Sequence, residues 1–142
     1  MILTQNFYEN EFLRSETADS AGITQRWSTD EHKVNVKFLA HEVLQPLRNF
    51  LGQPITITSG YRMAEVNKLV GGSPTSQHLV GQAADFTING YVSQYIAQEA
   101  LLNAISRLKL NYDQLILYPT FTHISYNKDI KKNRKQLIDK RK

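Results

Sequence analysis

The chain has 142 residues, four histidines and no cysteine, and carries 17 Lys or Arg against 13 Asp or Glu for a net charge of +4. One domain of this size buries enough surface to fold without a staple, and the absence of cysteine excludes disulfides and thiolate metal sites, leaving histidine, carboxylate and water to hold any metal. No stretch has the apolar length of a membrane span, and the opening "MILTQNFYEN" lacks the basic-then-apolar pattern of a secretory signal, so the expectation is a chain cytoplasmic as synthesised, or one that leaves the cell by another route.

In chain order, "FYENEFLR" at 7–14 reads as a short helix. "STDEHKVNVKFLAHEVLQPLRNFLG" reads as a long one, with Ser28 and Glu31 at capping-box spacing and Gly52 at its end. Val36, Ala40, Val43, Leu47 and Phe50 recur at threes and fours, the core stripe of an amphipathic helix. Pro46 is expected to kink it, because its ring opposes the carbonyl of Glu42. "ITIT" at 55–58 is β-branched throughout and reads as a buried strand. A short helix, "MAEVNKLV", precedes a second strand, "QAADFTI" at 82–88. The following helix, "YVSQYIAQEALLNAISRLK", would turn Ile96, Ala97, Leu101, Ala104, Ile105 and Leu108 inward. "QLILY" and "FTHISY" are two more strands flanking "PT". The sum is an α+β domain, a small antiparallel-rich sheet packed by helices, over residues 1–127.

Residues 128–142, "KDIKKNRKQLIDKRK", form a basic tail with eight Lys or Arg against two Asp. They read as a solvated terminal helix or frayed end. The alternative is a patch for an acidic polymer, either nucleic acid or an anionic cell wall. The tail contains no aromatic residue, which argues against nucleic acid.

Alternation along 82–88 places Ala83, Asp85 and Thr87 on one face and Ala84, Phe86 and Ile88 on the other. His78 sits just before this strand, across the turn containing Gly81, so it can meet Asp85 above the sheet. If a tight turn joins the last two strands, Tyr118 faces Phe121, Ile116 faces His123 and Gln114 faces Ser125. Two histidines, one carboxylate and an open fourth position suit a catalytic zinc site. On spacing alone a lone histidine on a strand is better explained as a satisfied core residue than as a ligand, and His32 and His41, on the long helix, are given that reading.

The motifs "SGYR" at 59–62, Asn67, "VGGS" at 70–73, "SQH" at 76–78, "G-x-AAD" at 81–85 and "THIS" at 122–125 together resemble the zinc D-Ala-D-Ala carboxypeptidase family, which shares its fold with the hedgehog signalling domain. "FYENEFLRSETA", "VLQPLR" and "NRKQ" at 133–136 resemble the flanks of its phage-type subgroup. The resemblance implies Zn2+ held by His78, Asp85 and His123. It implies that Arg62 polarises the scissile carbonyl or binds a substrate carboxylate, and that Ser76 lies near the substrate. Gly71 and Gly72 are read as backbone geometry, and Gln77 and Glu65 as facing solvent or neighbouring backbone.

The sequence departs from that pattern at one position. The family's general base, Glu or His, precedes the last zinc histidine, and here "QLILYPTFTH" puts Tyr118 where Glu is expected. With an ordinary pKa of ~10, a phenol is a poor base near pH 7; its role would be that of an oxyanion donor or, if zinc beside it lowers that pKa, of a proton carrier. Asp113, the nearest carboxylate, alternates onto the opposite face. The leading expectation is therefore a monomeric zinc peptidase that cleaves peptidoglycan stem peptides, as a carboxypeptidase or an endolysin-type endopeptidase. It would trim stem peptides in the cytosol or reach the wall as a phage or prophage lysis protein. The alternatives are a zinc-holding cell-wall binding module with little turnover and, least favoured, a basic adaptor for nucleic acid.

Overall fold

The computed structural model describes all of residues 1–142. Five strands form one sheet: β1 (Ile55–Ser59), β2 (Ala83–Ile88), β3 (Gln114–Leu117), β4 (Thr122–Ser125) and β5 (Gln136–Asp139), in the order β1-β2-β4-β3-β5. Neighbours run antiparallel except β3 and β5, which are parallel. The helices are α1 (Glu9–Leu13), α2 (Glu16–Ser20), α3 (Asp30–Leu39), α4 (Gln45–Leu51), α5 (Ala64–Leu69) and α6 (Gln94–Leu108). This is the expected α+β architecture. No helix is long and apolar enough to cross a membrane.

The two faces of the sheet have opposite chemistry because side chains alternate along each strand. Ile57, Ala84, Phe86, Ile88, Leu115, Leu117 and Ile124 face the helices and join Val36, Leu39, Val43, Leu47, Leu101 and Ala104 in one core. Full burial of a side chain such as Phe86 stabilises the fold by about 1.5–3 kcal/mol relative to exposure. The other face carries a transverse row set by the register: Ser59 opposite Asp85, Asp85 opposite His123, His123 opposite Ile116, Ile116 opposite Ile138. The expected pairing of Ile116 with His123 is present. Tyr118 and Phe121 close the turn, with the Tyr118 N–H donating to the Phe121 carbonyl at 3.0 Å.

Several local expectations are corrected. The cap of α3 is Thr29, whose hydroxyl accepts from the His32 N–H at 3.3 Å. Ser28 instead accepts from the Tyr61 hydroxyl at 3.0 Å. The long helix answers Pro46 with a π-type turn over Ala40–Leu44. Pro46 offers no N–H to Glu42, and the ladder slips so that the Gln45 N–H reaches the Ala40 carbonyl. β1 is half-buried, since Thr56 and Thr58 lie on the exposed face of an edge strand. Phe50, Ile96 and Leu108 do not reach the core (45%, 49% and 37% exposed). His41 is exposed too, whereas His32 is hydrogen-bonded to Tyr61.

The end of the chain is neither a helix nor frayed. A short 3-10 turn (Ile130–Lys132) leads into β5, which extends the sheet beyond β3. Two arginines latch it. Arg134 grips Asp113, and Arg141 binds Glu99 and Asp139 while stacking on Tyr95.

Candidate metal centre

The segment between β1 and α5 is built so that consecutive residues serve different partners. A bulge between Ile57 and Ser59 shifts the register of β1 against β2 and turns the chain toward the open face. The Gly60 carbonyl then accepts from His78 Nδ1 at 2.6 Å. Tyr61 is buried, with its hydroxyl 2.8 Å from His32 Nδ1 and its ring against Trp27. The Arg62 N–H donates to the His78 carbonyl at 3.0 Å, and its side chain reaches the cavity over the sheet.

His78 is held by a one-turn 3-10 helix (Gln77–Val80) capped by Ser76, whose hydroxyl accepts from the His78 N–H at 3.2 Å. Because Nδ1 donates to the Gly60 carbonyl, Nε2 is left as the lone-pair nitrogen. It lies 3.3 Å from Asp85 Oδ1. From the adjacent strand, His123 Nδ1 lies 2.7 Å from the same oxygen. The rings of His78 and His123 meet edge to face, with centroids 5.2 Å apart. Burial works against charge on Asp85, but its close contacts with His123 and His78 outweigh it and hold the carboxyl far below its usual range. His78, Asp85 and His123 form a group that can hold a metal ion. A tetrahedral zinc site with arms of about 2.0–2.1 Å has edges of about 3.3–3.4 Å, so the 3.3 Å separation of His78 and Asp85 suits it and the 2.7 Å contact needs only a small opening.

The cavity above these residues has a volume of about 550 Å³ and is walled by Arg62, Ser76, Gln77, Tyr118, Gln114 and Arg134. A second cavity of about 770 Å³, reaching Thr56, Glu16 and Asp19, shares Arg62 and Asp85 with the first. The cleft therefore runs across the strands on both sides of the histidine–aspartate group. Arg62 is half-buried, and this burial lowers its pKa against the opposing pull of Asp85. It remains charged, because a guanidinium does not lose its proton in proteins. Its Nη1 donates to Asn67 Oδ1 at 2.9 Å, and Asn67 in turn donates to the Ser73 carbonyl. Gly72 does more than relax the backbone. A Cβ there would lie 2.7 Å from Arg62 Nη1, so the glycine makes room for the Arg62–Asn67 pair.

His78, Asp85, His123, Arg62, Ser76 and Tyr118 thus fall around one cavity. Ser76 combines both readings, a turn hydroxyl that also lines the wall. Tyr118 lines it as well, its ring stacked on Phe121 at 4.5 Å with Lys140 Nζ 5.7 Å from the ring centroid. Asp85 is the one carboxylate among the residues lining this cavity. Asp113 lies outside the lining and serves as an anchor, accepting from Arg134 and from Gln77 Nε2 at 2.8 Å. Gln77 was expected to face solvent or backbone, and this contact corrects that reading. Arg134 itself went unrecognised as a wall residue; the only signal for it was its place in "NRKQ". Buried Gln98 was missed too. From α6 it donates to the carbonyls of Tyr118 and Phe121 and to Thr122 Oγ1, fixing the turn before His123.

No curated protein matches this sequence. A family model described as Peptidase M15 matches residues 5–125, a span that contains the histidine–aspartate group, Arg62 and Tyr118. The chain belongs to the Peptidase M15 family of zinc-dependent peptidases.

Proposed function

We propose that the protein is a zinc-dependent peptidase that cleaves stem peptides of bacterial peptidoglycan, with His78, Asp85 and His123 as the zinc ligands. The observation that carries this reading is the convergence of those three donors beside Arg62 in one open cavity. When bound, zinc would lower the pKa of its water to about 7 and polarise a peptide carbonyl. The chain's own residues do the rest. Arg62 places a fixed donor where the carbonyl oxygen gathers charge, and a preorganised donor of this kind is among the largest contributors to acyl-transfer catalysis. Asn67 holds one edge of its guanidinium and so fixes its direction. The Gly60 carbonyl holds His78 in the tautomer that presents Nε2. Ser76 and Tyr118 contact the peptide from the wall, Tyr118 as a donor to the developing oxyanion. The D-Ala-D-Ala carboxypeptidase and phage-type lysis assignments belong to this proposal, on the strength of the motif resemblance.

The test is incubation of the zinc-loaded protein with purified peptidoglycan, followed by mass spectrometry of the released fragments. Fragments should appear and should vanish with chelator. His78→Ala, Asp85→Ala and His123→Ala should each lose stoichiometric zinc; retention of zinc by all three would show the ligand set to be wrong. A second reading, a zinc-holding wall-binding module with little turnover, is favoured by one observation: the cavity lining offers Tyr118 and no second carboxylate where a general base would act. Binding to peptidoglycan without release of fragments would select it.

A further inference from the structure

Two arginines of the C-terminal segment lie in contrasting settings. Arg141 spends all three of its nitrogens, Nε and Nη2 on Asp139 and Nη1 on Glu99, and its side chain is 10% exposed against Tyr95. It is a structural latch. Arg134 donates through Nε and Nη2 to Asp113 at 2.8 and 3.0 Å, while Nη1 has no protein partner. Its side chain is 59% exposed and lines the same cavity as Arg62, His78 and His123.

The anchor is well made. The Asp113 carboxylate is buried and accepts the Arg134 side chain, the Arg134 backbone N–H at 3.0 Å and Gln77 Nε2 at 2.8 Å. A guanidinium offers two bidentate edges, and Asp113 occupies only the Nε–Nη2 edge. The Nη1–Nη2 edge stays free, fixed in direction by a buried carboxylate that is itself hydrogen-bonded to Gln77 and to the Arg134 N–H. Lys135 follows with a left-handed φ of 52°, a conformation that costs a lysine energy and sets the path of the chain just after Arg134. Asp113 offsets the charge of Arg134, so recognition here rests on directed donors, with the field supplied by Arg62. The one anion lining the cavity, Asp85, is already engaged by two histidines.

We infer that Arg134 is a specificity-determining residue: its free guanidinium edge takes a carboxylate of the substrate peptide other than the group being cleaved, and Asp113 and Gln77 are its positioning residues. The inference rests on the peptidase reading for the substrate class, acidic wall peptides. It goes beyond the family match, because Arg134 lies outside the matched residues.

The experiment uses the zinc-loaded full chain and a synthetic stem pentapeptide, in its acid form and with each carboxyl converted in turn to the carboxamide. Calorimetry measures binding, and mass spectrometry measures cleavage. Wild type should bind the acid about 10- to 100-fold more tightly than one of the amides, the worth of a charge-assisted bidentate contact. Arg134→Gln should lose that ratio with zinc content unchanged, and any cleavage should show it in KM rather than kcat. Arg134→Lys, which keeps the ion pair with Asp113 but not the planar fork, should retain only part of it. Arg141→Gln loosens β5 without touching the cavity and should keep the full ratio. Equal binding of acid and amides by wild type, or a ratio that survives in Arg134→Gln, overturns the inference. Cleavage with no such ratio overturns it and leaves the peptidase reading standing. The ratio without cleavage supports the inference and removes the peptidase reading, and binding of no peptide overturns both.

Discussion

Gly60→Ala tests how the fold controls the metal centre from a distance of one hydrogen bond. Gly60 does not need its glycine for a left-handed turn, since its φ is ordinary. It needs it for space. A Cβ at this position would lie 2.7 Å from Phe12 Cα and 2.9 Å from the Phe12 carbonyl oxygen, both backbone atoms. Non-bonded contact of that kind is comfortable at about 3.5–4.0 Å, so α1 and the 59–62 segment must separate by roughly 1 Å. Phe12 is fully buried and its carbonyl accepts the Tyr61 N–H at 2.8 Å, so α1 cannot simply retreat. Overpacking of this type costs about 1–3 kcal/mol, and backbone atoms on both sides favour the upper part of that range. The displaced group is the carbonyl that holds His78 Nδ1. Loss of such a supporting bond typically weakens metal affinity about 10- to 100-fold. Urea unfolding in the presence of chelator reads the first effect, and zinc competition against a fluorescent chelator at pH 7 reads the second. Gly52→Ala is the control. Gly52 is left-handed at φ 65° with no atom within 4 Å of a Cβ, so alanine there should cost about 1 kcal/mol through conformation and leave zinc affinity alone. Zinc affinity in Gly60→Ala within twofold of wild type would refute the claim that this carbonyl orients the ligand.

Three further outcomes are expected. Arg62→Lys should keep zinc and fold but lose most hydrolysis, because a point charge cannot replace a fork aligned by Asn67; an unchanged kcat/KM would return Arg62 to a structural role. Tyr118→Phe preserves the stack on Phe121 and should slow cleavage about 10²–10³-fold, the worth of one oxyanion donor, whereas Tyr118→Glu should raise activity and move the pH optimum down; wild-type behaviour in both would leave Tyr118 as packing alone. The Arg134 side chain, the Arg134 N–H and Gln77 hold the Asp113 carboxyl below its usual range, although burial opposes them, so its contribution to stability is complete above its unfolded pKa near 4 and fades as pH falls through the lower folded value. Denaturant unfolding at pH 7 and pH 3 should therefore show Asp113→Asn less stable than wild type at pH 7 and closer to it at pH 3, and a gap that widened in acid would contradict this sign.

Local chemistry legible in the residues was enough for the elements that build the site. The alternation in "QAADFTI" assigned Asp85 and Phe86 to opposite faces, and a period of two leaves no other arrangement for a half-buried strand. The turn geometry of "YPTF" set Ile116 against His123, whereas spacing alone did not single out the histidine–aspartate group that can hold a metal, which followed from the motif resemblance. The tertiary structure decided matters that depend on partners distant in the chain. Phe50, Ile96 and Leu108 carry the helical period of core residues but lie at the edges of their stripes, where no facing element covers them. Thr29 rather than Ser28 caps α3 because the Ser28 hydroxyl is taken by Tyr61, 33 residues away. The basic terminal segment reads as a solvated helix from its charges alone. Its conversion into a strand needs the free edge of β3, together with Asp113, Glu99 and Tyr95 placed to receive its two arginines. No local preference in "NRKQLIDKR" encodes that edge, because parallel pairing is a contact between segments separated in sequence, and only the assembled sheet presents the hydrogen-bonding groups that make it favourable.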